Sequence, residues 1–418
     1  MPRQSLICGI DIGNSTVKTV IAEVDREFSY PRILGVGSVE SRGLRRGVVI
    51  DMEETINNIG DSVRQAEAMA GVKIHKAYVA INGLHIRTQT SKGVIAVSRA
   101  DNQISQNDIE RVIDAASLIS LPANREIIHV IPRNFLIDGH EAVKNPLGMK
   151  GIRLEAEVFI IDGLSPHIHN LAKCINANEI EVSEFVYSPM AVSLAALDRQ
   201  QREYGVLNLD FGGGTSTISI FHEGEMVHTG VLPLGSRHIT NDLAVALRTT
   251  MDMAEKVKIE HGNLEAGSTS KKDQLDLSEI TGEENFTIPR KELTKIIEAR
   301  VNELFDVITA ELKKIPKQYL LPGGLVLIGG GANLRGLVAF AKHRLGLPVK
   351  IADQYYFNGL TEKITDPALA VAIGLIAWGF DKEYSGLKKG GSKSDVFSSL
   401  SSAGSPKKLL SWFKNFLP

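Results

Sequence analysis

The sequence has few cysteines and no long hydrophobic run. Its 418 residues contain two cysteines, Cys8 and Cys174, each in an apolar context. Two thiols cannot cross-link a chain of this size, so we exclude a disulfide-stapled secreted protein and expect a reducing cytoplasm. No run of 18 apolar residues occurs, so we expect no membrane-spanning helix. Residues 1–13 predict a strand and a turn instead of the apolar core of a signal peptide.

The sequence also lacks a large net charge of one sign. The formal net charge is −2, which argues against a general nucleic-acid-binding protein. This total conceals an asymmetry, because residues 385–418 carry six lysines and one acid and therefore +5, leaving −7 for the remainder. With 43% hydrophobic and 23% charged residues, the remainder should form substantial cores in two or three domains.

Short β-branched runs alternate with helical patterns, which predicts an α/β protein. Helices are predicted at residues 52–70, from Pro289 as the first helical residue, and at residues 368–380, the last apolar nearly all round and therefore buried. The predicted strands are residues 6–12, 17–24, 78–81, 126–138, 155–162, 205–210, 216–222 and 226–232. Residues 139–151 and 262–282 are predicted loops, and Gly, Ser and Lys dominate beyond residue 384, which is typical of a linker.

Two segments share an unusual pattern of an aspartate at the end of an apolar strand, then glycine, then hydroxyl residues. The first is residues 9–16, followed by Lys18, and the second is residues 209–216. Glycine lets the backbone approach a phosphate closely, and free N–H groups in such a turn form an anion-binding nest. The aspartates can hold Mg²⁺, usually through water. Each half of the chain would supply one hairpin, with a nucleotide between them.

A third glycine-rich segment, residues 323–332, is an apolar strand that runs into three glycines, with a helix predicted to begin near Asn333. Such a turn fits where a base and ribose press against main chain. Any one of these turns alone is more often an ordinary hairpin, and none matches the P-loop pattern. The order of aspartate loop, aspartate loop and triple glycine is far more specific than any single member.

These three segments resemble the phosphate 1, phosphate 2 and adenosine motifs of the actin, Hsp70 and sugar-kinase superfamily. Within it, the sequences DIGNSTVK, LDFGGGTSTISIF and VLIGGGANLRGL are most similar to the FtsA family of bacterial cell division proteins. The resemblance implies an actin-like (ribonuclease H-like) two-lobed α/β fold with four subdomains, one of them an inserted subdomain IC, and a flexible tail that ends in an amphipathic helix. The implied boundaries are 1–84, 163–202 and 365–384 for IA, 85–162 for IC, 203–233 and 318–364 for IIA, 234–317 for IIB, 385–405 for a linker and 406–418 for the amphipathic helix.

The resemblance also implies ATP and Mg²⁺ as cofactors and a set of binding residues. Glu255 and Lys258 match an Ala-Glu-x-x-Lys helix that faces the ribose and base, although such a pair on its own can equally be a solvated i, i+3 pair. Asp11 and Asp210 would position Mg²⁺. The implied nucleotide ligands are Asp11, Gly13, Asn14, Ser15, Lys18, Asp210, Gly212, Gly213, Gly214, Thr215, Glu255, Lys258, Gly329, Gly330 and Gly331.

Residues 187–191 match the connecting segment before phosphate 2, where filamentous relatives often carry a glutamate that helps to orient the attacking water. Here that position is Ser188. A hydroxyl is a poor general base at neutral pH, so we expect at most slow ATP hydrolysis and name no catalytic residue. His167 and His169 could suggest a metal, but no cysteine or acidic cluster lies at ligand spacing, so we predict no metal site there.

The end of the sequence predicts a short basic amphipathic helix. Its apolar residues recur at helical spacing, with lysines mostly outside the stripe, which is the pattern of an interfacial membrane anchor. The alternative is a helix that docks on its own domain, which a preceding Gly/Ser linker disfavours. The candidate membrane-binding residues are Leu409, Leu410, Trp412, Phe413, Phe416 and Leu417.

The combined expectation is an ATP-binding protein that polymerises on the cytoplasmic side of the cell membrane at the division site and anchors the FtsZ ring there. Its implied partners are the FtsZ C-terminal tail, further copies of itself, anionic lipids and other division proteins, and no nucleic acid. Lys291, Lys295 and Arg300 are candidates for the FtsZ contact, or else form a solvated helix face. Alternatives are a PilM-like peptide-binding scaffold and a small-molecule kinase. An Hsp70-like chaperone is poorer, since no peptide-binding domain follows.

Overall fold

The structure is a computed structural model that describes residues 5–24, 31–140, 142–265, 273–278, 286–316, 320–353, 358–359 and 365–384. The strands within these ranges are β1 (Ser5–Ile12), β2 (Thr16–Val24), β3 (Arg32–Glu40), β4 (Leu44–Arg45), β5 (Val48–Val49), β6 (Lys76–Ile81), β7 (Arg87–Ala96), β8 (Arg125–Ile137), β9 (Ala142–Val143), β10 (Arg153–Leu164), β11 (Glu181–Tyr187), β12 (Val206–Phe211), β13 (Ser216–His222), β14 (Glu225–Leu232), β15 (Gln274–Asp276), β16 (Thr287–Pro289), β17 (Leu325–Ile328), β18 (Val349–Ile351) and β19 (Asn358–Gly359). The α-helices are α1 (Met52–Ala70), α2 (Gln106–Ser117), α3 (Ser165–Asn176), α4 (Ser188–Ala195), α5 (Arg199–Tyr204), α6 (Ser236–Leu247), α7 (Met251–His261), α8 (Arg290–Leu312), α9 (Leu337–Leu345) and α10 (Ala370–Tyr384).

The chain divides into two compact units. The described residues within Met1–Leu84 and Ala172–Gly379 form the first, and those within His85–Leu171 and Phe380–Pro418 form the second. The first unit contains two sheets, with strand orders β11-β6-β1-β2-β3-β19 and β14-β13-β12-β17-β18. In the first sheet β1, β2 and β3 are antiparallel, and β1 also pairs in parallel with β6. In the second sheet β12, β13 and β14 are antiparallel, and β12 also pairs in parallel with β17. The two sheets therefore repeat one topology, and both place an aspartate near the end of the first strand.

Helix α1 shows how the sequence sets the elements of the first sheet. Asp51 caps its N-terminus by accepting a hydrogen bond from the Glu54 N–H at 3.0 Å, and Gly71 ends it with a φ of 70°. The helix packs closely on β3, because a Cβ on Gly37 would lie 1.9 Å from the Ser62 carbonyl oxygen. Glycine at this position lets the helix approach the sheet closely.

The core of the second sheet includes the apolar face that the sequence predicts after Pro289. In α8, Ile297, Val301, Phe305 and Ile308 are buried against the strands and against α6. Helix α8 begins at Arg290, one residue later than predicted, because Pro289 ends β16 and serves as the N-cap. An apolar face of this width stabilises the helix mainly through tertiary packing.

The second unit is a sheet of strand order β7-β10-β8-β9 with α2 packed on one face. Ser105 and Asp108 form a capping box at the start of α2. A buried ion pair joins Arg125 to Asp162, and the Arg125 guanidinium also donates to the His85 carbonyl at 2.8 Å. These bonds satisfy two charges in an interior where unpaired charges would be costly.

Two predictions differ from the structure around the third glycine cluster and the last helix. Instead of a helix beginning near Asn333, Gly330–Asn333 form a 3₁₀ turn and α9 starts at Leu337, because Gly336 adopts a φ of +79°. The predicted helix at residues 368–380 is a 3₁₀ turn, Pro367–Leu369, that continues as α10 to Tyr384. Among the described residues, no helix is long and apolar enough to cross a bilayer.

Candidate functional site

The first aspartate hairpin joins β1 to β2. Asp11 pairs in register with Lys18, and the Lys18 Nζ lies 3.4 Å from the Asp11 Oδ2. The turn is closed by a hydrogen bond from the Gly13 N–H to the Thr16 carbonyl at 3.0 Å. Both charged side chains are largely enclosed, at 15% exposure for Asp11 and 11% for Lys18, so the pair stands at the floor of a cleft.

The second hairpin joins β12 to β13 in the same way. Asp210 pairs in register with Thr217, at the same distance from the turn as the Asp11–Lys18 pair of the first hairpin. A Cβ on Gly212 would lie 2.8 Å from the Thr215 carbonyl oxygen, as a Cβ on Gly13 would from that of Thr16. The structure therefore contains two copies of one turn, one on each sheet of the first unit.

The two turns meet face to face. A Cβ on Gly213 would lie 1.9 Å from the Ser15 Oγ, and a Cβ on Gly214 would lie 2.9 Å from the Cβ of Asn14. The Asn14 side chain is fixed from the other side, because its Oδ1 accepts a hydrogen bond from the Gly47 N–H at 2.9 Å. Only glycine permits this approach, which brings the two aspartates to one cleft.

The carboxyl of Asp210 has a raised pKa. Enclosure by the protein raises the pKa of its carboxyl to about 7, and the negative charge of Asp11 adds to this rise while Lys18 opposes it. Asp11 and Asp210 can carry two negative charges, of which the single positive charge of Lys18 offsets one. A cation placed between them would stabilise the ionised form of Asp210.

On the far side of the cleft, Glu255 and Lys258 lie on one face of α7. The Lys258 Nζ lies 2.7 Å from the Glu255 Oε2 and donates to the Thr240 Oγ1 at 3.0 Å. The Thr240 hydroxyl also donates to Glu255. Burial lowers the pKa of Lys258, and the neighbouring Glu255 opposes this shift. The pair is thus part of a hydrogen-bonded group at the cleft wall, and Lys258 is largely enclosed.

The third glycine cluster forms another wall of the cleft. Gly329 has a φ of +81°, and a Cβ on Gly331 would lie 2.5 Å from the Phe211 ring. At Gly330 a Cβ would meet no atom within 4 Å, so this residue faces open space. The cluster therefore presents bare backbone to the cavity, as the sequence pattern predicts for contact with a flat group.

These elements enclose a cavity of about 1140 Å³. It is lined by fourteen of the fifteen nucleotide ligands suggested by the sequence, and Gly214 is the exception because it turns toward Asn14. The suggested residues that line it are Asp11, Gly13, Asn14, Ser15, Lys18, Asp210, Gly212, Gly213, Thr215, Glu255, Lys258, Gly329, Gly330 and Gly331.

Sequence reasoning missed several polar residues that also line the cavity: Asn82, Arg237, Asn333 and Asp366. Asn82 follows β6 and donates from its Nδ2 to the Thr217 Oγ1 at 2.7 Å, which links the first sheet to the second hairpin. Asn333 donates to Asp366 at 3.1 Å. The glycine and aspartate signatures mark the turns, whereas these residues come from strand and helix ends that carry no comparable local pattern.

Ser188 also lines the cavity, at the start of α4. Its hydroxyl is buried and donates to the Ile81 carbonyl at 3.4 Å. A serine held in this way cannot act as a general base at neutral pH.

The candidate partner residues on α8 do not share one environment. Lys291 and Lys295 are exposed and make no ion pair with another described residue. Arg300 is held instead by Asp242 of α6, with Nε–Oδ2 and Nη2–Oδ1 distances of 2.7 and 2.9 Å, and also pairs with Glu303. Its guanidinium is therefore largely engaged within the protein.

The candidate metal-binding histidines, His167 and His169, each contact another side chain. His169 lies 3.4 Å from Glu126, and the His167 ring packs edge-on against that of His85. The part of the chain that the structure describes holds no group of three or more metal-ligating side chains. The candidate membrane residues Leu409, Leu410, Trp412, Phe413, Phe416 and Leu417 lie outside the described residues.

Comparison with known proteins shows which protein family this chain matches. The sequence model described as cell division protein FtsA matches residues 207–374, and that of the SHS2 domain inserted in FtsA matches residues 83–162. The chain is 35% identical over 382 residues to FtsA of Pseudomonas aeruginosa, covering 91% of each protein. It is 36% identical to FtsA of Borreliella burgdorferi, covering 98% of each.

The chain belongs to the FtsA family. Membership makes it a bacterial cell division protein, as the sequence motifs predicted, and identifies the sheet of the second unit with the inserted domain of FtsA. The match to the inserted domain begins at residue 83 and ends at residue 162, whereas the first segment of the second compact unit spans His85–Leu171.

Solved structures of other proteins have a similar fold. The chain is similar to the PilM–PilN type IV pilus biogenesis complex, with a TM-score of 0.66 and 17% identity over 89% of this chain and 98% of the other. It is also similar to MreB5 of Spiroplasma citri bound to ADP, with a TM-score of 0.51 and 15% identity over 90% and 96% of the two chains. The predicted actin-like fold is confirmed, and identities this low carry no more than the fold.

Proposed function

We propose that this member of the FtsA family binds ATP with Mg²⁺ in the cleft of its first unit, polymerises on the inner face of the cytoplasmic membrane and anchors the FtsZ ring there. The observation that carries the proposal is the meeting of two aspartate hairpins at one cavity, with Ser15 against Gly213 and Asn14 against Gly214. Two equivalent turns of bare backbone opposed across a cleft suit a chain of phosphates better than a neutral ligand.

The residues fit ATP. The cavity of about 1140 Å³ is at the upper end of the usual range for small-molecule sites, so a nucleotide can enter it. Gly13, Asn14, Ser15 and Lys18 would bind phosphate from one side, and Gly212–Thr215 from the other. The open face at Gly330 leaves room for a base, and the polar group around Glu255 and Lys258 suits ribose hydroxyls.

The residues also fit Mg²⁺. Asp11 and Asp210 are oxygen donors, the ligand type this ion prefers, and it would be held mostly through water. When bound, the ion neutralises phosphate charge. The electrostatics of the cleft support this assignment, because burial and the negative charge of Asp11 raise the pKa of Asp210 despite the nearby Lys18, and a bound cation would favour the ionised carboxylate. We assign Asp11 and Asp210 as the metal-positioning pair.

The site assignment predicts the effect of one substitution. Asp210→Ala should weaken Mg²⁺-dependent ATP binding by roughly tenfold or more, because a charge-assisted contact to the metal is lost. Isothermal titration calorimetry measures this directly. Asp252→Ala is a matched control, since Asp252 is exposed on α7 and does not line the cavity. Unchanged ATP affinity and unchanged filament formation in Asp210→Ala would show that the site is wrongly assigned.

We further propose that ATP acts mainly as a structural and polymerisation ligand, with at most slow turnover. The hydroxyl of Ser188 stands at the position expected for a water-orienting carboxylate and is hydrogen-bonded to a backbone carbonyl. Ser188→Glu, which restores a carboxylate there, should increase ATP turnover measured by phosphate release, with Ser193→Ala as a control on the same helix. Equal turnover in Ser188→Glu and the unchanged chain would contradict this explanation.

The membrane contact is proposed for residues 406–418. The apolar side chains could each contribute about 1.5–3 kcal/mol if fully buried, but interfacial burial is partial and ordering each residue costs about 1–2 kcal/mol. Three lysines near anionic lipid add roughly 1 kcal/mol each. One such helix binds marginally, whereas many helices on one filament bind by avidity. The weak single anchor therefore supports a polymer.

The anchor is tested by liposome co-sedimentation. Removing residues 406–418 should release the protein from anionic vesicles, while removing an equal length from the linker, residues 390–402, should not. Continued lipid binding by the first variant would rule out the anchor.

The FtsZ contact is proposed for the exposed lysines of α8. Lys291 and Lys295 could attract an acidic peptide, whereas Arg300 is already held by Asp242 and is a weaker candidate. The paired substitution Lys291→Ala and Lys295→Ala should weaken binding of the FtsZ tail, measured by fluorescence anisotropy, more than Arg300→Ala does. A larger loss of binding in Arg300→Ala than in the double lysine variant would contradict this assignment and indicate a contact nearer to α6.

The sequence alternative of a PilM-like scaffold is not favoured, because the similarity to the pilus complex, with a TM-score of 0.66, concerns the fold alone. Sequence favours FtsA, since identity to the pilus complex is 17% and identity to FtsA proteins reaches 36%. A scaffold of that kind requires no lipid-binding tail, so the liposome experiment also separates the two candidates.

A further inference from the structure

Among the residues that the structure describes, three cationic side chains line the cavity of the first unit: Lys18, Arg237 and Lys258. Lys18 is paired with Asp11 at 3.4 Å, and Lys258 with Glu255 at 2.7 Å. The Arg237 guanidinium has no hydrogen bond or ion pair to any other residue that the structure describes. The sequence motifs did not identify Arg237, and its positive charge is not paired with a negative charge on another described residue.

The backbone of Arg237 is fixed to the second hairpin. Arg237 lies in the first turn of α6, and its N–H donates to the Gly213 carbonyl at 2.8 Å. The neighbouring Ser236 N–H donates to the Gly212 carbonyl, also at 2.8 Å. These bonds attach the start of α6 to the turn that holds Gly212–Thr215, so any movement of that turn is shared by Arg237.

The helix terminus alone does not explain an anion site at this point. The N–H groups of Ser236 and Arg237 are already bonded to the turn, and the N–H of His238 donates to the Gly235 carbonyl at 3.0 Å. The backbone donors that usually bind an anion at a helix start are thus occupied. A positive charge presented to the cavity here must come from the side chain.

A second cation lies close to the same turn. The Lys258 Nζ lies 3.4 Å from the Ser236 carbonyl oxygen and 3.0 Å from the Thr240 Oγ1, both on the first turns of α6. Arg237 contributes to lowering the pKa of Lys258, although burial is the main cause. Two cations on one stretch of cavity wall repel each other, and an anion between them would offset this repulsion.

We infer that Arg237 is a third cationic ligand of the bound nucleotide and contacts the diphosphate that ATP and ADP share. This inference rests on the proposed ATP function. The position follows from its two neighbours, since the second phosphate turn lies on one side of Arg237 and the Glu255–Lys258 pair, assigned to the ribose, on the other. The planar guanidinium can donate two parallel hydrogen bonds to phosphate oxygens, which an ammonium group cannot do in the same fixed geometry.

The test measures the dissociation constants of ATP, ADP and adenosine in the presence of Mg²⁺ for the full chain and three variants. Arg237→Gln should weaken ATP and ADP binding about tenfold each and adenosine binding less than twofold. Arg237→Lys keeps the positive charge but cannot donate the two parallel hydrogen bonds. Its ATP and ADP affinities should lie between those of the unchanged chain and Arg237→Gln. Lys256→Gln is the matched control, because Lys256 is exposed on α7 and outside the cavity. It should bind all three ligands as the unchanged chain does.

Two results would overturn the inference. One is ATP and ADP binding by Arg237→Gln within twofold of the unchanged chain, and the other is an equal loss for adenosine, which would indicate a role in shaping the site. The thermal midpoint of the ligand-free variant checks the fold, and it should not change since Arg237 is exposed and unpaired among the described residues. If the unchanged chain itself failed to bind ATP, the proposed function would fail and the inference with it.

Discussion

Single glycines decide whether the cleft can form. Gly331 and Gly330 are adjacent in sequence but differ in surroundings, because a Cβ on Gly331 would meet the Phe211 ring at 2.5 Å and a Cβ on Gly330 would meet nothing within 4 Å. Gly331→Ala should destabilise the protein by about 1–3 kcal/mol, the usual cost of overpacking. Gly330→Ala should leave stability nearly unchanged. Urea unfolding of the ligand-free protein measures both, and equal losses would contradict the packing described here.

The raised pKa of Asp210 predicts a dependence of stability on pH. An unfolded chain ionises this carboxyl near its ordinary pKa of 3.8, whereas the folded chain retains the proton to about pH 7. The folded protein without ligand should therefore lose stability as the pH rises between these values, with the full penalty present above pH 7. Asp210→Asn removes the penalty and should stabilise the ligand-free protein at pH 8, but hardly at pH 4. Identical denaturation curves for both proteins at pH 8 would refute the shift.

At the scale of elements, the two sheets of the first unit are joined by specific side-chain bonds. The Tyr187 hydroxyl at the end of β11 lies 2.9 Å from the Thr229 Oγ1 on β14, and both groups are buried. Tyr187→Phe should cost about 1 kcal/mol, the net value of one buried hydrogen bond. A double-mutant cycle with Thr229→Val separates this bond from the effect of each side chain alone. A coupling energy of zero would show that the bond does not join the sheets.

The second unit carries its own pH-sensitive group. Burial lowers the pKa of His85 to about 4, with smaller contributions from His167 and Arg125. Because the folded pKa lies below the ordinary 6.5, the neutral ring favours folding above pH 6.5, and this stability is lost as the pH falls toward 4. Amide exchange in β8 and β10 should speed up over this interval, and His85→Gln should reduce the effect. Exchange rates independent of pH, after correction for intrinsic chemistry, would contradict it.

The elements differ in how far the sequence could predict them. Helix α1 runs from Met52 to Ala70 as predicted, because Asp51 and Gly71 are strong local signals. The predicted helix start near Asn333 is wrong, because Gly330–Asn333 form a 3₁₀ turn and the positive φ of Gly336, which delays the helix to Leu337, is not visible in apolar periodicity. The meeting of Gly213 with Ser15, and the pairing of Arg300 with Asp242, join residues far apart in sequence and therefore needed the folded structure.

For the whole molecule, the sequence motifs were enough to predict the fold and the family. The cavity residues outside those motifs could be found only in the folded structure. The order of three glycine segments predicted an actin-like protein of the FtsA family, and both are confirmed. Asn82 and Arg237 were not predicted, because their presence at the cavity depends on how β6 and α6 meet the second hairpin. The acidic body and basic tail are the charge distribution that the proposed contact between the tail and anionic lipid requires.

The central claim is that ATP binding in the cleft produces a polymer that the tail holds on a membrane. Electron microscopy of the protein on an anionic lipid monolayer with Mg²⁺ and ATP tests it most directly, with the unchanged chain, Asp210→Ala and a variant lacking residues 406–418. We predict ordered filaments on lipid for the unchanged chain, few filaments for Asp210→Ala, and no lipid-bound filaments without the tail. Filaments of equal abundance on lipid for all three proteins would contradict the claim.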